Sequence, residues 1–458
     1  MPIVSINPAT GETIARFDEH DDAEIDARIA AAAAAHRALR GTGFAQRRDW
    51  MHAAADLLDA DVDTAAEMIT AEMGKPLAQA RAEVAKSAKA MRFYADRAEE
   101  FLSGWTLDDP SAVGASRAHT VYQPLGVVLA VMPWNYPIWQ VIRFAAPALM
   151  AGNTGLLKHS SNVPQAALYL DTLFERGGFP EGSFRSLLIP AAKVEAVLRD
   201  PRVVAATLTG SEPAGRSVAA IAGSEVKHVV LELGGSDPFV VMPSADLDRA
   251  VATAVTSRTT NNGQACINAK RFIVHADVHD AFVEKFAAAM AALRVGDPMA
   301  DGTDVGPLAT ASGRDDLAGL VDDALAAGAT AVVGGAVPGG DGWFYPPTVL
   351  TGLTESMRLY REEAFGPVAS VYRAADADDA LRIANDTTFG LSSAVWTQDP
   401  HEEERLVAGL DAGAVFVNGM SISYPELPFG GVKDSGVGRE LSAEGIREFC
   451  NLKSVWKA

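Results

Sequence analysis

The chain has 458 residues, 48% of them hydrophobic and 21% charged, with a formal net charge of −20. That length exceeds what one core usually holds, so two or more structural units are expected. The acidity argues against nucleic acid or an anionic membrane as partner, because both are bound by basic surface.

In chain order, the opening Asn7-Pro8-Ala9-Thr10-Gly11-Glu12 reads as a turn between two short strands. Alanine dominates 22–40, with Ile25, Ile29 and Leu39 at helical spacing, so a helix is expected there. Two more follow over 45–60 and 62–72. Gly74 and Pro76 then end one helix and start a long one running to about residue 101. Its interleaved acids and bases suggest a solvated cover helix without chemistry. The text changes to small and β-favouring residues over 107–122, as in a hairpin. Beyond it, apolar runs at 126–132, 154–158, 184–189, 203–209 and 228–233 alternate with helical segments. Such alternation argues for a doubly wound α/β fold with parallel strands. Further runs at 238–242, 271–275, 330–334 and 368–372 predict a second α/β unit. The longest apolar runs, such as Val127 to Met132, fall far short of the ~20 residues a membrane helix needs. No secretory signal is visible at the N-terminus, and a cytoplasmic protein is expected. The two cysteines, Cys266 and Cys450, are expected to stay unpaired.

Three stretches carry chemistry. The first is Asn261-Asn262-Gly263-Gln264-Ala265-Cys266-Ile267-Asn268-Ala269-Lys270-Arg271. A lone cysteine is ordinarily a small buried hydrophobe. Here it follows a Gly-Gln pair rather than sitting in an apolar run, so a bend can aim the thiol into a cleft. The second stretch is Val230-Leu231-Glu232-Leu233-Gly234-Gly235, whose one carboxylate ends an apolar strand. Burial there raises a carboxyl pKa towards the range of a general base, although a half-exposed strand acid is the plainer alternative. The third is Met132-Pro133-Trp134-Asn135-Tyr136-Pro137. Its prolines restrict the backbone and would fix the Asn135 amide as a donor to a developing alkoxide.

In that order and at those separations, the three stretches resemble the aldehyde dehydrogenase superfamily, and the resemblance covers nearly the whole chain. It implies a Rossmann-type cofactor-binding domain over 1–105 and 125–234 and an α/β catalytic domain over 235–436. It also implies a small β oligomerisation arm, made of 106–124 and 446–458, in a homodimer or homotetramer. The reaction implied is oxidation of a small-molecule aldehyde to an acid. Cys266 attacks the carbonyl, Asn135 and the Cys266 amide stabilise the oxyanion, hydride passes to a nicotinamide, and Glu232 activates water on the thioester. No metal is expected.

The ordinary G-x-G-x-x-G fingerprint is absent. Leu208-Thr209-Gly210-Ser211-Glu212-Pro213 instead follows a strand and opens a helix, and the family carries this variant with Gly210 and Ser211 at the phosphates. The resemblance adds Trp134, Asn135, Leu233, Glu363 and Phe365 to the cofactor contacts. Lys158-His159-Ser160-Ser161 departs from the Lys-Pro-x-Glu of many NAD-preferring relatives. An acid would repel a 2′-phosphate, whereas Ser161 beside Lys158 and His159 would accept one, so NADP is expected. The alternative is relaxed selectivity that also admits NAD.

Arg143 follows Asn135 by eight residues, just over two helical turns, and could clamp a carboxylate at the far end of the substrate. Succinate-semialdehyde dehydrogenases resemble the chain here and at 158–161, which makes succinic semialdehyde the expected substrate. A structural helix arginine, serving an enzyme of broad aldehyde specificity, is the other reading. Some of that group carry a further arginine where this chain has Asn261, leaving one charged anchor instead of two. A CoA-acylating enzyme would not need Glu232. A silent relative would have lost one of Cys266, Glu232 or Asn135.

Overall fold

The computed structural model describes residues 2–458, which fold around two sheets. The first has six strands in the order Gly436–Val437, His228–Glu232, Val203–Thr209, Val127–Met132, Thr154–His159 and Phe184–Ser186. All neighbours run parallel except the short Gly436–Val437 edge. The second has seven strands, ordered Thr330–Val333, Thr348–Thr351, Val368–Ala374, Ala269–His275, Asp237–Val241, Ser393–Trp396 and Val415–Val417. It too is parallel apart from its Thr330–Val333 edge. Both central strands are buried on both faces, which is why Val127–Met132 and Asp237–Val241 read as continuous apolar runs. Among the described residues, no helix is long and apolar enough to cross a membrane.

The alanine-rich segment forms a helix over Asp22–Leu39, started by Asp21, whose side chain accepts from the Glu24 amide. Phe44–Ala60 and Val62–Met73 follow, and Gly74 at φ 78° ends the latter in the left-handed conformation.

Three expectations are corrected. The strand foreseen over 184–189 stops at Ser186, short of Pro190. The hairpin over 107–122 is only partly built: the Leu107 amide donates to Ala118 and the Thr120 amide to Trp105, but its one full strand, Arg117–Pro124, has the C-terminal Cys450–Lys457 as its antiparallel partner. Pro110–Val113, just before that strand, is a short 3-10 turn. The long helix Leu77–Phe101 is not a solvated cover. Ala80, Glu83, Val84, Ser87, Ala88, Met91, Tyr94, Ala95 and Ala98 form a buried stripe along it. Glu83 falls in register with that stripe, so a charge ended up in the interior where alternating charges had suggested only solvent.

The C-terminal ends of the central strands in the six-stranded sheet share one edge, with Met132 opposite His159 and Thr209 opposite Glu232. In open parallel sheets that edge is where ligands bind. The chain leaves it through Gly234-Gly235 and enters the second sheet at Asp237. A Cβ on Gly235 would lie 2.6 Å from the Cys266 carbonyl oxygen, so this crossing admits only glycine against the cysteine loop.

Candidate active site

Cys266 lies on the loop between the helix Leu247–Thr259 and the strand Ala269–His275. Three successive residues before it, Asn261, Asn262 and Gly263, take positive φ of 59°, 56° and 73°. Asparagine and glycine tolerate that conformation best, which explains why this bend is written with them. Buried cations then pin the loop by its carbonyls. Lys270 Nζ donates to the Ala265 oxygen at 2.9 Å and the Cys266 oxygen at 2.7 Å. It also pairs with Glu363 at 2.8 Å. Arg258 donates to the Ala269 and Gly263 carbonyls, and Arg271 to those of Ser236, Ile383 and Ala384.

The thiol is half-buried in the wall of a cavity of about 420 Å³, well within the range of small-molecule sites. Burial pushes the Cys266 thiol up to about 12, against a smaller downward pull from Arg143 and Lys270. The resting group is therefore a neutral thiol. Alkylation of Cys266 by iodoacetamide, followed by peptide mass spectrometry without cofactor, is expected to accelerate about tenfold per pH unit from 7 to 10. A plateau below pH 8 would show a thiolate already formed and contradict this.

Asn135 is buried at the far side of the loop. Its Nδ2 donates to the Gln264 carbonyl at 2.9 Å, and its own carbonyl accepts from Asn261 Nδ2 at 2.8 Å. Asn261 Nδ2 reaches Gln264 as well. The position where some relatives carry a second arginine thus holds an asparagine that stitches the Asn135 turn to the cysteine loop. One N–H of Asn135 remains for an oxyanion.

Glu232 closes its strand with 1% of its surface exposed, and neither carboxyl oxygen has a hydrogen-bond partner among the described residues. Burial raises its pKa well above the ordinary carboxylate range; Glu440 raises it further, while Arg143 opposes both. The carboxyl lies by Gly430, where a Cβ would meet it at 2.8 Å. It makes no hydrogen bond to Cys266, and nothing tethers it.

Arg143 does line the cavity, but it is already engaged. Its Nε pairs with Glu440, an NH2 donates to Thr209 Oγ1 at 3.2 Å, and its guanidinium sits 4.7 Å from the Phe429 ring centroid. Glu440 lies nearly three hundred residues downstream, and no local pattern marked it. Lys75, Glu83 and Lys86 were missed too. Glu83 accepts from the Ile138 and Trp139 amides at 2.9 and 3.0 Å, capping the helix Trp139–Ala151, and Lys75 neutralises it.

On the cofactor side, Ser211 caps the helix Glu212–Ser224 without using its side chain, and Lys158 makes no ion pair among the described residues. Ser161 is exposed, and Ser160 Oγ donates to Asn162. Apart from the Ser160 hydroxyl, these side chains keep donors free that fit an adenosine phosphate and a pyrophosphate. His159 does not join them. It is 5% exposed, with Nε2 2.9 Å from the Pro137 oxygen and Nδ1 accepting from the Ser160 amide, and burial lowers it to about 4. It is neutral and turned inward because its strand position faces the core. Trp134 and Phe365 meet edge to face at 5.7 Å, and Glu363 accepts from the Gly235 amide. Gly210 donates its amide to the Glu232 carbonyl, and Leu233 is buried beside them. Glu212, unremarked in the sequence, turns one buried, unpartnered oxygen towards Gly234.

Residues 1–455 match the aldehyde dehydrogenase family. The chain is 64% identical over 458 residues to a succinate-semialdehyde dehydrogenase (NADP+) 1 of Mycobacterium tuberculosis, with both chains fully covered. It is 64% identical over 460 residues to a succinate-semialdehyde dehydrogenase (NADP+) of Mycolicibacterium paratuberculosis, covering all of this chain and 97% of that one. The structure of a succinic semialdehyde dehydrogenase from Streptococcus pyogenes, solved with NADP+, superposes at a TM-score of 0.96, with 36% identity and 99% of each chain covered. Matched along its whole length, the chain belongs to the aldehyde dehydrogenase family.

Proposed function

We propose that the protein oxidises succinic semialdehyde to succinate with NADP. The observation that carries this reading is the placement of Cys266 in a cavity that the cations Arg143 and Lys86 also line. Full-length identity of 64% to enzymes named for that reaction supports it.

The Cys266 thiol loses its proton to solvent and attacks the aldehyde carbon, and the resulting alkoxide is held by the free Asn135 N–H and the Cys266 amide, each such donor being worth about 3 kcal/mol. NADP, when bound, would supply the hydride acceptor. Lys158, Ser160, Ser161, Gly210, Ser211, Leu233, Glu363, Phe365 and Trp134 hold and orient it, with Lys270 fixing Glu363 to the cysteine loop. Glu232, untethered and with a raised pKa, takes a proton from water as that water attacks the thioester. Residues 1–105 and 125–234 serve as the cofactor-binding domain and 235–436 as the catalytic domain. The Arg117–Pro124 and Cys450–Lys457 ribbon exposes Leu452 and Trp456, each with about half its surface in solvent, and this supports its role as the arm of a homodimer or homotetramer.

The test is initial-rate reduction of NADP and NAD with succinic semialdehyde, acetaldehyde and butyraldehyde, with Cys266→Ala as blank. The highest kcat/KM is expected for succinic semialdehyde with NADP, and equal rates for all aldehydes would overturn the substrate. Ser161→Glu is expected to lower kcat/KM for NADP on the order of 100-fold, through like-charge repulsion of the 2′-phosphate. An unchanged NADP constant in that variant would remove Ser161 from the selector.

A further inference from the structure

We infer that Lys86, on the helix Leu77–Phe101, is the cation that recognises the distal carboxylate of the substrate, with Ser423 beside it. The inference rests on the acid-aldehyde reading above and assigns its selectivity to a residue other than Arg143.

The charges around the cavity decide this. Arg143 is matched by Glu440, and Lys75 by Glu83. Glu83 is fully committed, since its other oxygen receives the Ile138 and Trp139 amides. Among the described residues, Lys86 alone of these cations has no carboxylate partner. Its Nζ donates to Ser423 Oγ at 2.9 Å and rests 4.1 Å from the Trp139 ring centroid. Ser423 also receives Trp139 Nε1 at 3.1 Å, so the indole and the hydroxyl together fix the ammonium at the cavity wall. The two closed pairs cancel and Lys86 remains, leaving the cavity one negative charge short of neutrality. A single carboxylate at the far end of a short aldehyde supplies that missing charge. Burial and the nearby Arg143 lower Lys86 to about 7, the signature of an ammonium held without its counter-ion. A bound carboxylate restores the charged form. The arginine missing at Asn261 is thus replaced by a lysine from a different element of the fold.

The experiment compares kcat and KM for succinic semialdehyde and butyraldehyde, both with NADP, in the parent, Lys86→Met and Lys86→Arg. The parent's preference for the acid aldehyde tests the reading of function; the change in that preference tests Lys86. In Lys86→Met the ratio of kcat/KM values is expected to fall about 10- to 100-fold, the worth of a charge-assisted hydrogen bond, with the loss lying in KM for succinic semialdehyde. Lys86→Arg is expected to recover most of it. A parent that prefers succinic semialdehyde with a Lys86→Met variant that keeps the same ratio overturns the role of Lys86 alone. Equal losses for both aldehydes, not recovered by arginine, would make Lys86 a prop for Trp139 and overturn the inference as well. A parent without preference overturns both.

Discussion

Glu232→Gln is expected to release one equivalent of NADPH per site in a fast first turnover and then nearly stop. The amide keeps the size of the carboxyl but cannot take a proton from water, so acyl transfer to Cys266 outlives its hydrolysis. General-base contributions of this kind are typically 10²- to 10⁴-fold, and the steady-state kcat should fall by that order. Rapid-mixing absorbance at 340 nm, the NADPH band, separates burst from steady state. The pH profile gives a second readout. The parent's deacylation limb should rise with pH as the raised Glu232 carboxyl ionises, and that limb should vanish in the variant. A kcat within a few-fold of the parent, with the limb intact, would assign the base elsewhere. A slowed burst would show that Glu232 also deprotonates Cys266, whose thiol burial holds at about 12.

Much of this arrangement could be read from sequence because it rests on backbone. Strands such as Val203–Thr209 are continuous apolar runs, and the bend before Cys266 uses residues that accept positive φ. Local rules of that kind act over a few residues. What escaped was whatever depends on partners far apart in the chain. Arg143 meets Glu440 across the fold, and Lys270 reaches Glu363. Neither pair has a spacing signature. The helix Leu77–Phe101 failed for a related reason: a charge at a buried register position looks like any surface charge until its counter-ion is known. His159 was misplaced because strand alternation, which turned it inward, is hard to phase in a strand that is buried on both faces.

Arg143→Met is expected to destabilise the protein by about 3–5 kcal/mol, because it strands Glu440 as an uncompensated buried carboxylate. The sign with pH follows. Without the guanidinium, the folded-state pKa of Glu440 rises further above its unfolded value, so the neutral form is favoured on folding. The variant should therefore approach the parent's unfolding midpoint near pH 5 and fall furthest behind it at pH 8. Adding Glu440→Gln should restore most of the loss, since neither buried charge then remains. Thermal unfolding of the single and double variants across that pH range makes the measurement. The same substitution reaches the chemistry, because Arg143 lowers both Glu232 and Cys266. Its removal should move the deacylation limb to higher pH. If Arg143→Met instead unfolds like the parent and loses only its preference for succinic semialdehyde, the arginine is a substrate clamp after all. The pair with Glu440 would then be dispensable scaffolding, and the selectivity assigned to Lys86 would have to be shared.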